Sequence, residues 1–181
     1  MSKEPVVNEF YMASKVASDE WLCGALAMDS ETAHKWNKLD IAYMSAISAP
    51  YADLETLRLM NDWNGWVFAF DDQFDEGHLQ HDPLQAAQEI IQTIAMLDDI
   101  SPVVSADESL LRHTLQSCWL RFRKRASPGL QYRWKQHLTW YCLGVLRQVG
   151  MQTVAYHPTV EEYMNFRSGC IGVYPCIGLM E

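Results

Sequence analysis

Apolar residues recur at spacings of three and four along nearly the whole chain, and the two-residue alternation of half-buried strands is almost absent. This periodicity predicts an all-α protein. Capping residues, prolines and glycines divide the chain into predicted helices over 8–27, from 30, 39–47, 52–76, 82–97, 106–126, 130–154 and from 160, with breaks at Ser101-Pro102 and within 169–175. In the first helix, one face is expected to carry Phe10, Ala13, Val16, Ala17 and Trp21. The connections are short, so we expect a single α-helical domain over residues 1–181.

Composition and charge argue against several classes of protein. Hydrophobic residues make up 49% of the 181 residues, which supports a packed core rather than disorder. The net charge of −9 argues against a nucleic-acid partner, because binding to phosphates requires a basic surface. Neither a signal peptide nor an apolar run long enough to span a membrane is visible, so we expect a cytoplasmic protein.

The cysteines are expected to be reduced thiols in the core. They form no C-x-x-C pair, their number is odd, and they lie among apolar residues at positions 23, 118, 142, 170 and 176. A disulfide framework is therefore not expected, which agrees with an intracellular location.

An acidic cluster ends the predicted helix over 52–76, in the stretch FAFDDQFDEGH at residues 68–78. Asp71 and Asp75 are four residues apart and therefore lie about 40° apart on one helical face. Towards the start of the helix, that face is mainly apolar and carries Leu57, Met60, Asn64, Val67 and Phe68. Asp72 is rotated from Asp71 by about 100°. We therefore expect a different contact for Asp72, such as accepting a hydrogen bond from an arginine.

The two acids on this face are unfavourably placed unless a cation joins them. The last turn is the negative end of the helix dipole, and like charges four residues apart repel by roughly a few tenths of a kcal/mol. A few carboxylate oxygens open to water suit Mg²⁺. One alternative is a solvated acidic helix end. Another is a calcium loop, which is disfavoured because Glu76 stands where that loop requires glycine and Asp82 where it expects glutamate.

Two segments give the chain a resemblance to a known family. The segment WVFAFDDQFDEG at 66–77 resembles the aspartate-rich motif of class I terpene cyclases, most closely the fungal sesquiterpene synthase type. The segment HPTVEEYMNFRSGCIGVYPCIGLME at 157–181 is similar to the part of that family that precedes its second metal motif. The stretch RFRKRASPGLQYRWKQHLTWY is similar to the family's middle helices, so the resemblance covers nearly the whole chain. It implies the helical bundle of a class I terpenoid synthase.

The resemblance also implies roles for individual residues. Asp71 and Asp75 are expected to bind Mg²⁺, and Asp72 to act as a hydrogen-bond partner. Arg167 is expected to sense the substrate diphosphate, with Cys170 and Ile171 in the linker and effector region that follows it. The alternative for Arg167 is a surface salt bridge with Glu161 or Glu162.

A substrate cavity is expected on the face of Asp71. Asn64, Val67 and Phe68 share that face and are its predicted lining. The remaining aromatic residues of the same helix, Trp63, Trp66, Phe70 and Phe74, either line the cavity or pack in the core, and core packing is the expected role. An aromatic face such as that of Phe68 stabilises a cation.

The implied reaction is the Mg²⁺-dependent ionisation of a prenyl diphosphate, expected to be farnesyl diphosphate, followed by carbocation cyclisation to a sesquiterpene with release of diphosphate. One alternative is a non-catalytic helical binding or scaffold protein, a pseudoenzyme. Another is a prenyl diphosphate elongase, which would carry basic residues after the first acidic motif, where Glu76 and His78 stand.

A second metal motif of the form N-D-x-x-S-x-x-x-E and a later Arg-Tyr pair are expected from the resemblance after the sensor arginine. The 181 residues contain neither. We therefore expect the chain to be the N-terminal part of the bundle, truncated at its C-terminus. Apolar surface that the absent helices would cover is expected to be exposed and to favour self-association.

Overall fold

The computed structural model describes residues 4–98 and 103–181, and within these ranges the regular structure is entirely α-helical. The helices are α1 Tyr11–Ala25, α2 Ser30–Leu39, α3 Ile41–Ser48, α4 Leu54–Asp75, α5 Pro83–Ala95, α6 Leu110–Arg125, α7 Pro128–Thr153, α8 Val160–Arg167 and α9 Val173–Gly178. The all-α prediction is confirmed. The predicted break at Ser101-Pro102 lies outside the described residues.

Side-chain caps set several of the helix starts. Asp53 caps α4, Ser127 caps α7 and Thr159 caps α8, in each case by accepting a backbone N–H of the first turn. The sixth helix begins at Leu110 rather than at 106, because Ser109 provides its cap. The first helix begins at Tyr11 rather than at 8, because the Asn8 side chain is engaged elsewhere.

The side chain of Asn8 joins the N-terminal segment to the turn between α3 and α4. Its Nδ2 donates to the carbonyl oxygens of Ala49 and Ala52 at 2.8 and 2.9 Å. Its Oδ1 accepts the backbone N–H of Phe10 at 2.9 Å, which turns the chain just before α1 begins.

The buried face of α1 differs from the expected one. Val16 is 62% exposed, whereas Ser14, Ser18 and Leu22 are buried. Small polar side chains allow α1 to lie close to α4, where Asn61 Nδ2 donates to Ser14 Oγ at 3.0 Å. The apolar spacing predicted the wrong face because α1 packs closely on α4, and a close helix contact favours small side chains over large apolar ones.

Helix α4 lies at the centre and packs against α1, α3, α6, α7 and α9. Several of its buried polar side chains are paired with other helices. Asn64 Nδ2 donates to Ser45 Oγ of α3 at 2.8 Å. The fully buried carboxylate of Asp62 accepts from Arg58 at 3.0 Å and from Arg121 of α6 at 2.6 Å.

The aromatic residues of α4 form much of the core. Trp63, Trp66, Phe70 and Phe74 are each at most 1% exposed. Their packing role is thus the observed one. The ring of Trp63 lies 5.2 Å from that of Trp134 in α7, centroid to centroid, which joins the two longest helices.

A glycine-rich break separates α8 from α9, as the sequence predicted, and it packs closely on α7. A Cβ atom at Gly144 would lie 2.8 Å from the Cβ of Cys170 and 3.0 Å from its backbone nitrogen. Gly172 adopts a φ of +64°, in the left-handed region that favours glycine. The break is therefore held against α7 by backbone contact.

All five cysteines are free thiols, as expected. Cys118, Cys142 and Cys170 are buried, and Cys23 and Cys176 are partly buried. None of the helices within residues 4–98 and 103–181 has the length and apolar character needed to cross a membrane.

Several large apolar side chains around one cleft of the bundle are exposed by 39–44%: Met44, Phe68, Ile171, Val173, Ile177 and Met180. Such a concentration of exposed apolar side chains is what the self-association hypothesis requires. Self-association itself stays a prediction.

Gly144→Ala is expected to destabilise the fold by about 1–3 kcal/mol, because the added methyl group would overlap Cys170. Gly150→Ala in the same helix is the matched control. No atom lies within 4 Å of its Cβ position, so alanine should stabilise the helix by about 0.5–1 kcal/mol. Urea unfolding followed by circular dichroism measures both changes. Equal free energies of unfolding for the two variants would contradict the close approach of α7 to Cys170.

Candidate functional site

A cleft of about 340 Å³ opens between α3, α4 and the segment that contains α8 and α9. The predicted site residues that line it are Asn64, Val67, Phe68, Asp71, Arg167, Cys170 and Ile171. Its other walls are mainly apolar and come from Met44, Ser48, Gly172, Val173, Cys176, Ile177 and Met180. Asp72 and Asp75 do not line this cleft. The fold thus brings together residues that the sequence separates by about a hundred positions.

The carboxyl group of Asp71 is largely buried at the polar end of the cleft. Its Oδ1 accepts a hydrogen bond from the Tyr141 hydroxyl of α7 at 2.5 Å. Burial raises the pKa of Asp71 from 3.8 to about 6, partly offset by the Tyr141 hydrogen bond. The negative charge of Asp75 raises this pKa further, and the positive charge of Arg167 lowers it.

Asp75 is exposed and lies one turn after Asp71, at the end of α4. Its Oδ1 accepts from the Gln148 amide of α7 at 2.6 Å. Because α4 is helical through Asp75, residues 71–75 do not form a calcium-binding loop, and that alternative is wrong.

Asp72 points away from the cleft, into a depression that is also lined by Lys35 and Trp36 of α2. Within the described ranges, no hydrogen bond from an arginine to Asp72 forms. Partial burial raises the pKa of Asp72, as does the nearby charge of Glu76. Its role as a hydrogen-bond partner stays a prediction.

Arg167 is the last residue of α8 and faces the cleft. Its Nη1 donates weakly to Cys170 Sγ at 3.5 Å. Glu162 instead accepts from the backbone and hydroxyl of Thr159 and from the hydroxyl of Tyr156. In the described part of the chain, Arg167 forms no salt bridge with either neighbouring glutamate, so the surface salt-bridge alternative is wrong.

The acids fit a partial metal site rather than a complete one. Within residues 4–98 and 103–181, no three His, Cys, Asp or Glu side chains are grouped closely enough to hold a metal ion. Asp71 and Asp75 each use Oδ1 for a hydrogen bond within the protein, and their Oδ2 atoms accept none from described residues. Two free carboxylate oxygens suit Mg²⁺, which binds few protein ligands and keeps water or phosphate oxygens as the others.

Tyr141 and Gln148 were not identified from the sequence. They are seven residues apart on the predicted helix over 130–154, so helical periodicity places them on one face. That spacing alone gives no indication of which helix the face contacts.

Asp71→Asn is expected to stabilise the chain at neutral pH in the presence of a chelator. A folded-state pKa raised to about 6 means that the stability contributed by Asp71 is fully present below pH 3.8 and is lost as pH rises through 6. Asparagine does not titrate, so its advantage over wild type should grow by about 2 kcal/mol between pH 4 and pH 7.5. Thermal unfolding at both pH values measures it. The exposed Glu76→Gln is the control, and a pH-independent difference for Asp71→Asn would refute the expectation.

The chain resembles known proteins over its whole length. Residues 62–181 match the family model described as terpene synthase family 2, C-terminal metal binding. Terpene cyclase 4 of Gibberella fujikuroi is 68% identical over 181 residues, which is 100% of this chain and 50% of that protein. The (+)-eremophilene synthase of the same organism is 37% identical over 182 residues, covering 99% of this chain and 51% of the relative.

The fold is also that of solved structures. The SVS_A2 protein from ancestral sequence reconstruction superposes with a TM-score of 0.90 at 24% identity, covering 98% of this chain and 55% of the other. The helical architecture is thus that of a class I terpenoid synthase, as predicted. The chain spans about half the length of the curated relatives it matches. From the match over 62–181 and the extent of these identities, the chain belongs to the terpene synthase family.

Proposed function

We propose that the cleft is the part of a terpene cyclase active site that binds a prenyl diphosphate and begins its ionisation. The observation that carries the proposal is that one apolar cleft holds Asp71 and Arg167 at its polar end. The residues of the two motifs, which the sequence separates widely, meet at this end. An acid that could hold a cation and an arginine that could hold a phosphate thus share one site.

The polar end has both charges that a metal-bound diphosphate needs. Within the described ranges, no ion pair joins Asp71 to Arg167, so the guanidinium keeps donors free for phosphate oxygens. Its planar fork matches phosphate geometry. Asp71 and Asp75 would hold Mg²⁺, which when bound supplies the positive charge that stabilises the departing diphosphate.

The apolar walls are suited to the hydrocarbon part of the substrate. Val67, Phe68 and Ile171 line the cleft near the acid, and Val173 and Ile177 continue the wall. When the carbon–oxygen bond breaks, its electron pair leaves with the diphosphate and an allylic cation remains. In the whole protein these walls would shield that cation from water, and the ring face of Phe68 would stabilise its charge.

The complete cyclisation is proposed for the whole protein, because this chain spans about half the length of its relatives. Farnesyl diphosphate as the substrate and a sesquiterpene as the product rest on the resemblance. The second metal motif that the resemblance implies would supply further ligands. Cytoplasmic location likewise stays a prediction.

Isothermal titration of the purified chain with inorganic diphosphate tests the proposal. We expect weak binding with Mg²⁺ and none with a chelator, because the anion alone would meet the charge of Asp71. Asp71→Asn should abolish the Mg²⁺-dependent heat by removing a metal ligand. The exposed Glu76→Gln, at the end of the same helix, should bind as wild type does. Binding that is unchanged by Asp71→Asn would favour the scaffold alternative.

Arg167→Ala is expected to weaken Mg²⁺-dependent diphosphate binding by roughly tenfold or more, since charge-assisted bonds to phosphate are lost. Arg167→Lys should recover only part of the affinity, because a point charge replaces a fork. Arg147 is a matched control: its guanidinium lies 5.5 Å from the Phe166 ring and does not line the cleft. An equal loss for Arg147→Ala would show that nonspecific positive charge, and not Arg167, binds the anion.

A further inference from the structure

We infer that Tyr141 and Gln148 of α7 are positioning residues for the two candidate metal ligands, an inference that rests on the proposed function. The Tyr141 hydroxyl donates to Asp71 Oδ1 at 2.5 Å, and the Gln148 amide donates to Asp75 Oδ1 at 2.6 Å. Each acid of the pair therefore has one donor of its own, and both donors come from the same helix.

The order of the donors along α7 matches the order of the acids along α4. The order of contacts along α4, Trp63, Asp71 and Asp75, is the order of their partners along α7, so the two helices run parallel here. Two helical turns on α7 separate the donors, which places them about 20° apart on one face. One face of α7 thus serves both acids at the end of α4.

Both donors are neutral, and that is what distinguishes them from ordinary partners of buried acids. An arginine or lysine at either place would neutralise a carboxylate and compete with a metal cation. A hydroxyl and an amide fix the direction of the carboxyl groups and leave their charge in place. The Oδ2 atom of each acid remains without a hydrogen bond from the described residues.

Tyr141 is itself held firmly. Its side chain is fully buried, and its ring centroid lies 6.1 Å from that of Phe70. It also lies beside the helix break, since a Cβ atom at Gly172 would be 3.7 Å from its Cε2. A single rigid side chain therefore relates the acid on α4 to the break that follows Arg167. Loss of its hydroxyl would free the carboxyl group of Asp71 to rotate while the ring still packs.

Tyr141→Phe in the full chain tests this inference by isothermal titration with inorganic diphosphate and Mg²⁺. Removal of a group that orients a metal ligand typically lowers affinity by roughly 10- to 100-fold. We expect a loss of affinity in this range for Tyr141→Phe. For Gln148→Met we expect a smaller, severalfold loss, because its partner Asp75 is exposed. Tyr132→Phe and Gln152→Met are matched controls, because both residues are exposed on α7 and contact neither acid.

The ratio of Mg²⁺ to Ca²⁺ affinity separates positioning from general stability. Mg²⁺ demands strict octahedral geometry, whereas Ca²⁺ tolerates irregular ligands. Tyr141→Phe should therefore weaken Mg²⁺-dependent binding more than Ca²⁺-dependent binding, at a temperature where circular dichroism shows the variant folded. If Asp71→Asn abolishes binding but Tyr141→Phe weakens Mg²⁺- and Ca²⁺-dependent binding equally, or weakens neither, the inference is overturned and the proposed function stands. Absence of Mg²⁺-dependent binding in wild type would overturn the proposed function and this inference together.

Discussion

An unpaired buried polar group costs about 1–3 kcal/mol, and three buried polar side chains of α4 form hydrogen bonds to other helices. Asn61 finds its partner on α1, Asn64 on α3 and Asp62 on α6. Hydrophobic packing alone would tolerate rotation of these helices about α4. The hydrogen bonds do not, so they fix which face each neighbour presents and hence where the walls of the cleft lie.

The acids at the end of α4 also have hydrogen-bond partners, but these partners carry no charge. There the partners of Asp71 and Asp75 are neutral donors, and within residues 4–98 and 103–181 no ion pair compensates the burial of Asp71. Asp62, by contrast, is fully buried and has two arginines. One helix thus carries one acid paired with arginines and one acid in a cleft held by a neutral hydroxyl, which is the contrast expected between a structural and a functional carboxylate.

Much of the site could be predicted because it lies on one helix. Helical periodicity alone places Asn64, Val67 and Phe68 on the same face as Asp71, and all four residues line the cleft. Arg167 came from a resemblance, since no spacing rule relates it to α4. Tyr141 and Gln148 escaped because periodicity gives the residues that share a face but not the helix that they meet. The rotation of Asp72 away from Asp71 likewise did not show which helix it faces, and the structure places it beside α2.

A buried thiol on α7 makes the opening of the contact between α4 and α7 measurable. Cys142 follows Tyr141 directly and is fully buried, and burial raises its pKa well above the usual range of a cysteine. Alkylating reagents react with the thiolate, so they reach Cys142 only during transient opening of the bundle. Under fast-reclosing conditions, its labelling rate therefore measures the free energy of that opening. The chain carries, next to its candidate acid, a built-in chemical reporter of how often α7 separates from its neighbours.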